Sequence, residues 1–355
     1  MSELNVLTIS PRIRGIAAFL GHRVQVRFEA SNAPTSLTSQ QIDTALSAAF
    51  SGSALPSVVS VEGAGKFHLT VTASSVSANR ADVIRGKVAV VTGGAQGFGE
   101  EITRGLIANG AFVAVADLNL AGAQKLAGEL NQSAGKPVAM AVEVNISQED
   151  SVAAMVETVV AAVGGIDVFV ANAGVLKASP VVDQDLKAFE FVTAVNYTGY
   201  MLCVKHASRV MREQAKADPR GWTDIIQINS KSGLEGSNKN GSYAGSKFGG
   251  IGLTQSFALE LVSYRIKVNS ICPGNFFDGP LWSDPENGLF AQYLRTGKVP
   301  GAKTLAEVKT FYEAKVPMNR GCTGPDVLKA LLYIVEQEYE TGQAVPVTGG
   351  QVMLN

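Results

Sequence analysis

Apolar positions fall into two regimes along the chain. From Lys87 onward, short Val/Ala/Ile-rich runs alternate with longer segments of helical periodicity. Val88–Val91, Phe112–Ala116, Val138–Val144, Val168–Ala171, Asp224–Ile228, Lys267–Ile271 and Ala344–Val347 read as strands. Glu100–Ala108 and Ala121–Leu130 are among the helices between them. The strand runs are almost wholly apolar, as befits strands buried on both faces of a parallel sheet. Alternating β and α elements with right-handed crossovers predict an α/β fold with a doubly wound sheet.

Before Lys87 the pattern differs. Leu4–Ile9 reads as a strand and Ile13–Leu20 as a short helix. Arg23–Phe28 alternates like a half-exposed strand. Thr38–Phe50 is predicted helical with Ser39 as its N-cap. Ser57–Val61 and Phe67–Val71 are two further strands, separated by the turn signal Glu62-Gly63-Ala64-Gly65. The polar run Thr72–Asn79 reads as a linker. The expected organisation is a small N-terminal α/β extension over 1–75, a connection over 76–86, and the main domain over 87–355.

Composition narrows the function. Of 355 residues, 46% are hydrophobic and 17% charged, enough for a large core. A net charge of -1 leaves no field to attract nucleic acid or an anionic membrane, so neither is expected as a partner. Cys203, Cys272 and Cys322 are far apart, and His22, His68 and His206 are scattered. Neither a disulfide framework nor a metal site follows. Reduced thiols point to the cytoplasm. Glu3, Arg12 and Arg14 interrupt any signal-like apolar run. No stretch approaches the ~20 apolar residues of a membrane span.

Three signals carry chemistry. The run Thr92-Gly93-Gly94-Ala95-Gln96-Gly97-Phe98-Gly99 follows the first long strand and opens a helix. Glycines there allow a sharp turn and close approach of a pyrophosphate, which the free N–H groups of the helix would bind. This makes the sheet Rossmann-type. Asp117 lies 18 residues after Gly99 at a strand end, where an acid would bind adenosine ribose hydroxyls and repel a 2′-phosphate. No Arg or Lys stands in the glycine run or in Leu118-Asn119-Leu120, so NAD is expected over NADP. The competing reading of Asp117 is a helix cap. Tyr243 and Lys247 are four apart, on one face if helical. An ammonium beside a phenol favours the phenolate and lowers its pKa, which would make Tyr243 an acid/base for alcohol and carbonyl. Taken alone, the pair could equally be a surface pair. Ser230 precedes Tyr243 by 13 residues and could hold the substrate oxygen. Asn196 sits inside a predicted long helix, where catalytic and structural roles are both open.

Thr92–Gly99, Asp117, Asn172-Ala173-Gly174, Asn196, Ser230, Tyr243/Lys247 and Pro273-Gly274 together resemble the short-chain dehydrogenase/reductase family, in its order and spacing, from Lys87 to the C-terminus. The resemblance implies an oxidoreductase of CH–OH groups with a catalytic tetrad of Asn196, Ser230, Tyr243 and Lys247. Tyr243 would be the acid/base, and Ser230 would orient the substrate oxygen. Lys247 would bind the nicotinamide ribose and tune Tyr243, and Asn196 would hold a proton-relay water. It implies cofactor contacts from Gly93, Gln96, Gly97, Phe98, Gly99, Asp117, Leu118, Asn172, Ala173, Gly174, Tyr243, Lys247, Pro273, Gly274 and Phe276. Asn145-Ile146 match the adenine position, where the family usually has Asp-Val, and Asp278 stands where it usually has Thr. The resemblance also implies a homodimer or homotetramer packed through the helices carrying Asn196 and Tyr243.

Ile228–Gly233, Lys247–Ser256 and Thr348–Met353 are more particular and resemble the sorbitol-6-phosphate 2-dehydrogenase branch. Related dehydrogenase halves occur in bifunctional sugar-phosphate aldolase/dehydrogenases, and Pro56–Gly65 is faintly similar to the end of their aldolase half. With only His22 and His68 and no H-x-H pair, residues 1–75 are expected to be a metal-free, non-catalytic remnant or assembly element. A polyol or sugar(-phosphate) is therefore the expected substrate. Ser232, Glu235, Asn238 and Asn275 could bond its hydroxyls. Lys231, Lys239, Lys177 and Arg320 are available for a phosphate, with Lys231 and Lys239 favoured. Asn275–Val316 reads either as a mobile lid or as a helical cap with its own core. The alternatives are a reductase for a keto-acyl or hydrophobic carbonyl, and a non-enzymatic dinucleotide-binding protein.

Overall fold

The computed structural model describes residues 2–353 apart from 32–34, 53, 75–81, 287 and 296. The N-terminal part contains α1 (Ser2–Phe19), β1 (His22–Ala30), α2 (Ser39–Ala49), β2 (Val58–Val61) and β3 (Gly65–Ser74). The strands form an antiparallel sheet in the order β1-β3-β2. Leu4–Ile9, predicted as a strand, is instead the first half of α1, which continues through Pro11. The reason is a buried stripe, Val6, Ile9, Ile13 and Ala17, at helical spacing. Packing of that stripe outweighs the β-branched residues and the proline that pointed to a strand. The cap of α2 is Thr38 rather than Ser39, because Thr38 and Gln41 close a reciprocal capping box. Thr72–Ser74, read as linker, extend β3. Residues 75–81 of the predicted connection lie outside the described residues.

Beyond it run β4 (Val88–Thr92), α3 (Gly97–Ala108), β5 (Phe112–Asp117), α4 (Leu120–Ala134), β6 (Ala139–Glu143), α5 (Glu149–Val163) and β7 (Val168–Ala171). Then come α6 (Leu186–Thr193), α7 (Gly199–Ala217), β8 (Thr223–Ile228), α8 (Gly241–Leu261) and β9 (Ile266–Pro273). Last are α9 (Pro280–Ser283), α10 (Leu289–Arg295), α11 (Leu305–Glu313), α12 (Gly324–Glu336) and β10 (Ala344–Val347). Seven strands pair in parallel in the order β10-β9-β8-β7-β4-β5-β6. One apolar layer joins the sheet to α5, α7 and α8, and the other joins it to α3, α4 and α12. Strands β4 and β9 are buried along their whole length, β4 as an almost wholly apolar run and β9 with Lys267, Asn269 and Ser270 hydrogen-bonded inside. Strand order reverses between β4 and β7, and ligands of such sheets bind in the crevice at the carboxyl ends of the strands there.

The N-terminal part sits against α5 and α7 through α1. Gly15 permits the contact: a Cβ there would lie 2.4 Å from the Gln214 carbonyl. Arg12 bonds both Asp43 on α2 (2.6 Å) and Glu213 on α7 (2.9 Å). Residues 275–316 resolve into a helical cap rather than an irregular loop. Phe277, Phe290, Val299, Val308 and Val316 form its own core, with Trp282, Tyr293 and Tyr312 packed around it.

Candidate active site

The glycine run is shaped by backbone crowding. Gly93 and Gly97 have φ of +61° and +59°, which disfavour side chains. A Cβ on Gly99 would lie 1.9 Å from the Gly93 carbonyl oxygen, so the turn folds onto the start of α3. Gln96 caps α3 without a side-chain hydrogen bond, which leaves the first N–H groups of the helix for an anion. Asn172 fastens the turn to β7: its Nδ2 donates to the Thr92 and Gly93 carbonyls at 2.9 and 3.0 Å. The Thr92 hydroxyl accepts from the Asn172 and Ala173 N–H groups. Thr92 opens the run read from sequence, but the bracing role of its hydroxyl was not anticipated.

Asp117 ends β5 beside this turn and accepts from the Ala95 and Asn119 N–H groups (3.0 and 2.9 Å). Each oxygen keeps acceptor capacity for a ribose hydroxyl. Leu118, 67% exposed, is an apolar surface next to it. Asn145 closes a local turn, its Oδ1 accepting from Ser147 N and Oγ, while Ile146 is buried against Gly199.

Asn196 lies in a π-helical turn, Ala194–Thr198, between α6 and α7. Such turns often occur at functional sites. The buried amide is fully engaged: Oδ1 accepts from Val175 N–H, and Nδ2 donates to the Val175 carbonyl and to Ser246 Oγ. A Cβ on Gly174 would stand 3.3 Å from Asn196 Oδ1 and 3.8 Å from Lys247 Nζ, so these three residues converge. Asn229, whose role was also not anticipated, orders the neighbouring strand end. Its Nδ2 donates to the Lys247 carbonyl, and its Oδ1 accepts from Ser230 N–H.

Tyr243 and Lys247 share the first turns of α8, with Nζ 5.6 Å from the phenol ring centroid. Lys247 donates to the Ile228 carbonyl at 2.9 Å. Burial lowers its pKa to about 8. Burial raises the Tyr243 pKa, against a smaller lowering by its hydrogen bond with Ser230. The expected lowering of Tyr243 by Lys247 is therefore not what this geometry produces, because desolvation outweighs the other influences. Ser230 and the glycine turn follow the carboxyl ends of β8 and β4, and Tyr243, Lys247 and Asn196 gather beside them.

Residues 87–282 match the family described as short chain dehydrogenase. The sorbitol-6-phosphate 2-dehydrogenase of Escherichia coli is 40% identical over 270 residues, covering 75% of this chain and 99% of that protein. This chain belongs to the short-chain dehydrogenase family. Among solved structures, the sorbitol-6-phosphate 2-dehydrogenase of Erwinia amylovora matches with 41% identity and a TM-score of 0.69, covering 75% of this chain and all of that one. A 3-ketoacyl-(acyl-carrier-protein) reductase from Brucella melitensis, complexed with NADH, matches with 25% identity and a TM-score of 0.64, covering 76% and 99%. The chain is thus an oxidoreductase of alcohol groups that uses a nicotinamide dinucleotide.

In this dehydrogenase, Pro273 ends β9 and Gly274 follows it, and a Cβ on Gly274 would collide with Gln351 Oε1 at 2.5 Å. Phe276 stacks on Phe98 of the glycine turn, centroids 4.3 Å apart. Asp278 pairs with Lys309 of α11 at 2.6 Å, so this departure from the family pattern ties the cap to its own stem. Of the substrate candidates, Ser232 is buried and its N–H donates to Ser230 Oγ at 3.1 Å. Asn275 is held by backbone bonds to Gln351 and Cys322. Lys231 is half-buried beside Ser230, and Lys239 is exposed with φ of +58°. Arg320 is not free for a phosphate: it grips Asp326 with two bonds (2.6 and 3.0 Å), which hold that carboxyl down at about 2. No helix among the described residues is long and apolar enough to cross a membrane.

Proposed function

We propose that the protein interconverts a polyol or sugar phosphate and its ketose with NAD, using Tyr243 as proton donor and acceptor. The observation that carries the reading is the Ser230–Tyr243–Lys247–Asn196 cluster beside a glycine turn that no side chain could replace. Gly93, Gln96, Gly97, Phe98 and Gly99 would hold the pyrophosphate, Asp117 the adenosine ribose, and Asn172–Gly174, Lys247 and Pro273–Phe276 the nicotinamide end. Leu118, Asn145 and Ile146 would flank the adenine. The bound nicotinamide supplies the hydride acceptor. Ser230 would hold the substrate oxygen, Tyr243 would take its proton, and Lys247 would steady the phenolate and pass the proton outward to a relay water held at Asn196.

Asp117 supports NAD over NADP by charge. Asp117→Ser is expected to cut NAD efficiency about 10–100-fold, the worth of a hydrogen bond to a charged group, and to raise NADP efficiency. Ratios of kcat/KM for the two cofactors test this, and an unchanged ratio would remove Asp117 from discrimination.

The named relatives favour sorbitol 6-phosphate as substrate. Lys231 and Lys239 would meet the phosphate. Replacing both by Gln should raise KM for sorbitol 6-phosphate about 10-fold or more, since charge-assisted bonds contribute 1.5–3 kcal/mol each, and leave KM for sorbitol unchanged. The second reading is a keto-acyl reductase, favoured by the ketoacyl reductase neighbour. Sorbitol, sorbitol 6-phosphate and a lipophilic ketone assayed side by side separate the two; turnover of the last alone defeats the first reading.

We also propose a non-catalytic N-terminal unit over residues 1–75 and assembly as a homodimer or homotetramer. Phe189 and Phe191 on α6, Tyr197 in the π turn, and Phe248 and Leu259 on α8 remain exposed in one protomer, and burying them in a partner would relieve that exposure. Light scattering on the purified protein should give a mass at least twice the chain's 37.2 kDa. Buried free thiols at Cys203, Cys272 and Cys322 fit a cytoplasmic location.

A further inference from the structure

A cavity lies at the opposite end of the sheet from Tyr243. It measures about 460 Å³ and opens between the N-terminal part and the amino ends of the strands. Lys87 precedes β4, Asp167 precedes β7, Thr223 begins β8 and Arg265 precedes β9, and all four line it. From the other side come Arg14 of α1 and His22 and Arg23 of β1. The volume falls in the ~300–1,000 Å³ range of small-molecule sites.

Its lining carries unused donors. Arg14 is only 6% exposed, and two of its guanidinium nitrogens are satisfied, by the Val24 and Val163 carbonyls and by Asp167 (2.5 Å). Its Nε has no partner, and neither do buried His22 Nδ1 and Thr223 Oγ1. The Lys87 ammonium makes no ion pair among the described residues. Asp167 acts on Arg14 and Lys87 together, and buried Asp224 also acts on Lys87, so the lining groups left without a hydrogen-bond partner are Arg14 Nε, His22 Nδ1 and Thr223 Oγ1. Asp167 is committed to Arg14, Gln214 and the Val88 N–H. Asp218 accepts from Arg220 N–H, and Glu336 and Glu338 are exposed. Arg14 Nε and the Thr223 hydroxyl can donate hydrogen bonds, as can His22 Nδ1 in one tautomer, and a buried donor left unpaired costs about 1–3 kcal/mol. An occupant that relieved this cost would be rich in acceptors and negatively charged.

We infer that this cavity is a binding site for a small oxyanion, a phosphate or carboxylate group, gripped jointly by the N-terminal part and the dehydrogenase. Burial lowers the Lys87 pKa, and a bound anion would offset that loss of charge. The site shares no residue with the proposed active site, so it stands or falls separately from the substrate assignment.

Titration calorimetry on the full-length protein with inorganic phosphate, with citrate and with neutral sorbitol tests the inference. The two anions distinguish a phosphate ligand from a carboxylate one. Expected is binding of at least one anion, weakened about 10-fold or more in Lys87→Met and in Thr223→Val, the loss of one charged or neutral bond. Lys125→Gln, on the exposed face of α4, should leave that binding unchanged. Hydrogen exchange on the wild-type protein gives a second measure should a variant misfold: the anion should protect amides around residues 14–24 and 221–224. Absence of anion binding, or binding lost in Lys125→Gln but kept in Lys87→Met, overturns the inference. Protection confined to residues near Tyr243 does the same.

Discussion

Tyr243→Phe should reduce kcat by about 10³-fold or more, at the upper end of what a positioned acid/base contributes, while leaving NAD affinity unchanged. The substitution deletes one oxygen from a buried phenol and keeps the ring that packs at the start of α8. No cofactor phosphate or ribose contact is expected to depend on that oxygen alone. A pH profile adds a readout that a packing defect would not move. Burial raises the Tyr243 pKa, so the proton-accepting phenolate is scarce at neutral pH and increases as pH rises. Alcohol oxidation by the wild-type enzyme should therefore climb with pH, and ketone reduction should not. Burial places Lys247 at about 8, so its charge falls away above that pH and the climb should flatten there. In Tyr243→Phe the residual rate should lose this slope. Retained activity with the same slope would take Tyr243 out of the mechanism.

Gly99→Ala should raise the dissociation constant for NAD about 100-fold or more. The added methyl would sit 1.9 Å from the Gly93 carbonyl oxygen and 2.7 Å from Asn172 Nδ2. Neither neighbour can yield freely. Gly93 is held in a left-handed turn, and Asn172 Nδ2 donates to both the Thr92 and Gly93 carbonyls. Relief must come from opening the turn, which costs about 1–3 kcal/mol as overpacking and withdraws the N–H groups of α3 from the pyrophosphate. Fluorescence titration with NADH measures the affinity, and thermal unfolding separates it from a global defect. Gly128→Ala on α4, where a Cβ meets nothing within 4 Å, is the matched control and should bind NADH normally. Normal binding by Gly99→Ala would show that the turn tolerates a side chain.

The largely apolar runs made β4, β5, β7, β8 and β9 legible before any coordinates, because strands buried on both faces carry mostly apolar side chains, with Asp224, Gln227, Lys267, Asn269 and Ser270 as buried exceptions. The glycine spacing was equally legible, since only glycine satisfies both the positive φ at Gly93 and the contact at Gly99. Leu4–Ile9 was misread because β-branched residues and Pro11 speak for the isolated segment, whereas the helix is held by what α1 touches on α5 and α7. The direction of the Tyr243 pKa was misread for a similar reason. Spacing places Lys247 one turn away, but desolvation depends on every element that closes over the phenol.

From the sequence alone came the parallel sheet, the cofactor turn and the identity of the residues gathered around Tyr243, all set by local patterns of period, φ and chemical type. Tertiary structure alone decided that residues 275–316 form a packed cap, that Arg320 is spent on Asp326, and that Arg14 and Lys87 face one cavity. The Arg320–Asp326 pair and the cap core join near neighbours in the chain, whereas the cavity joins α1 to Gln214 and Arg265, and in each case local sequence pattern does not encode which group meets which.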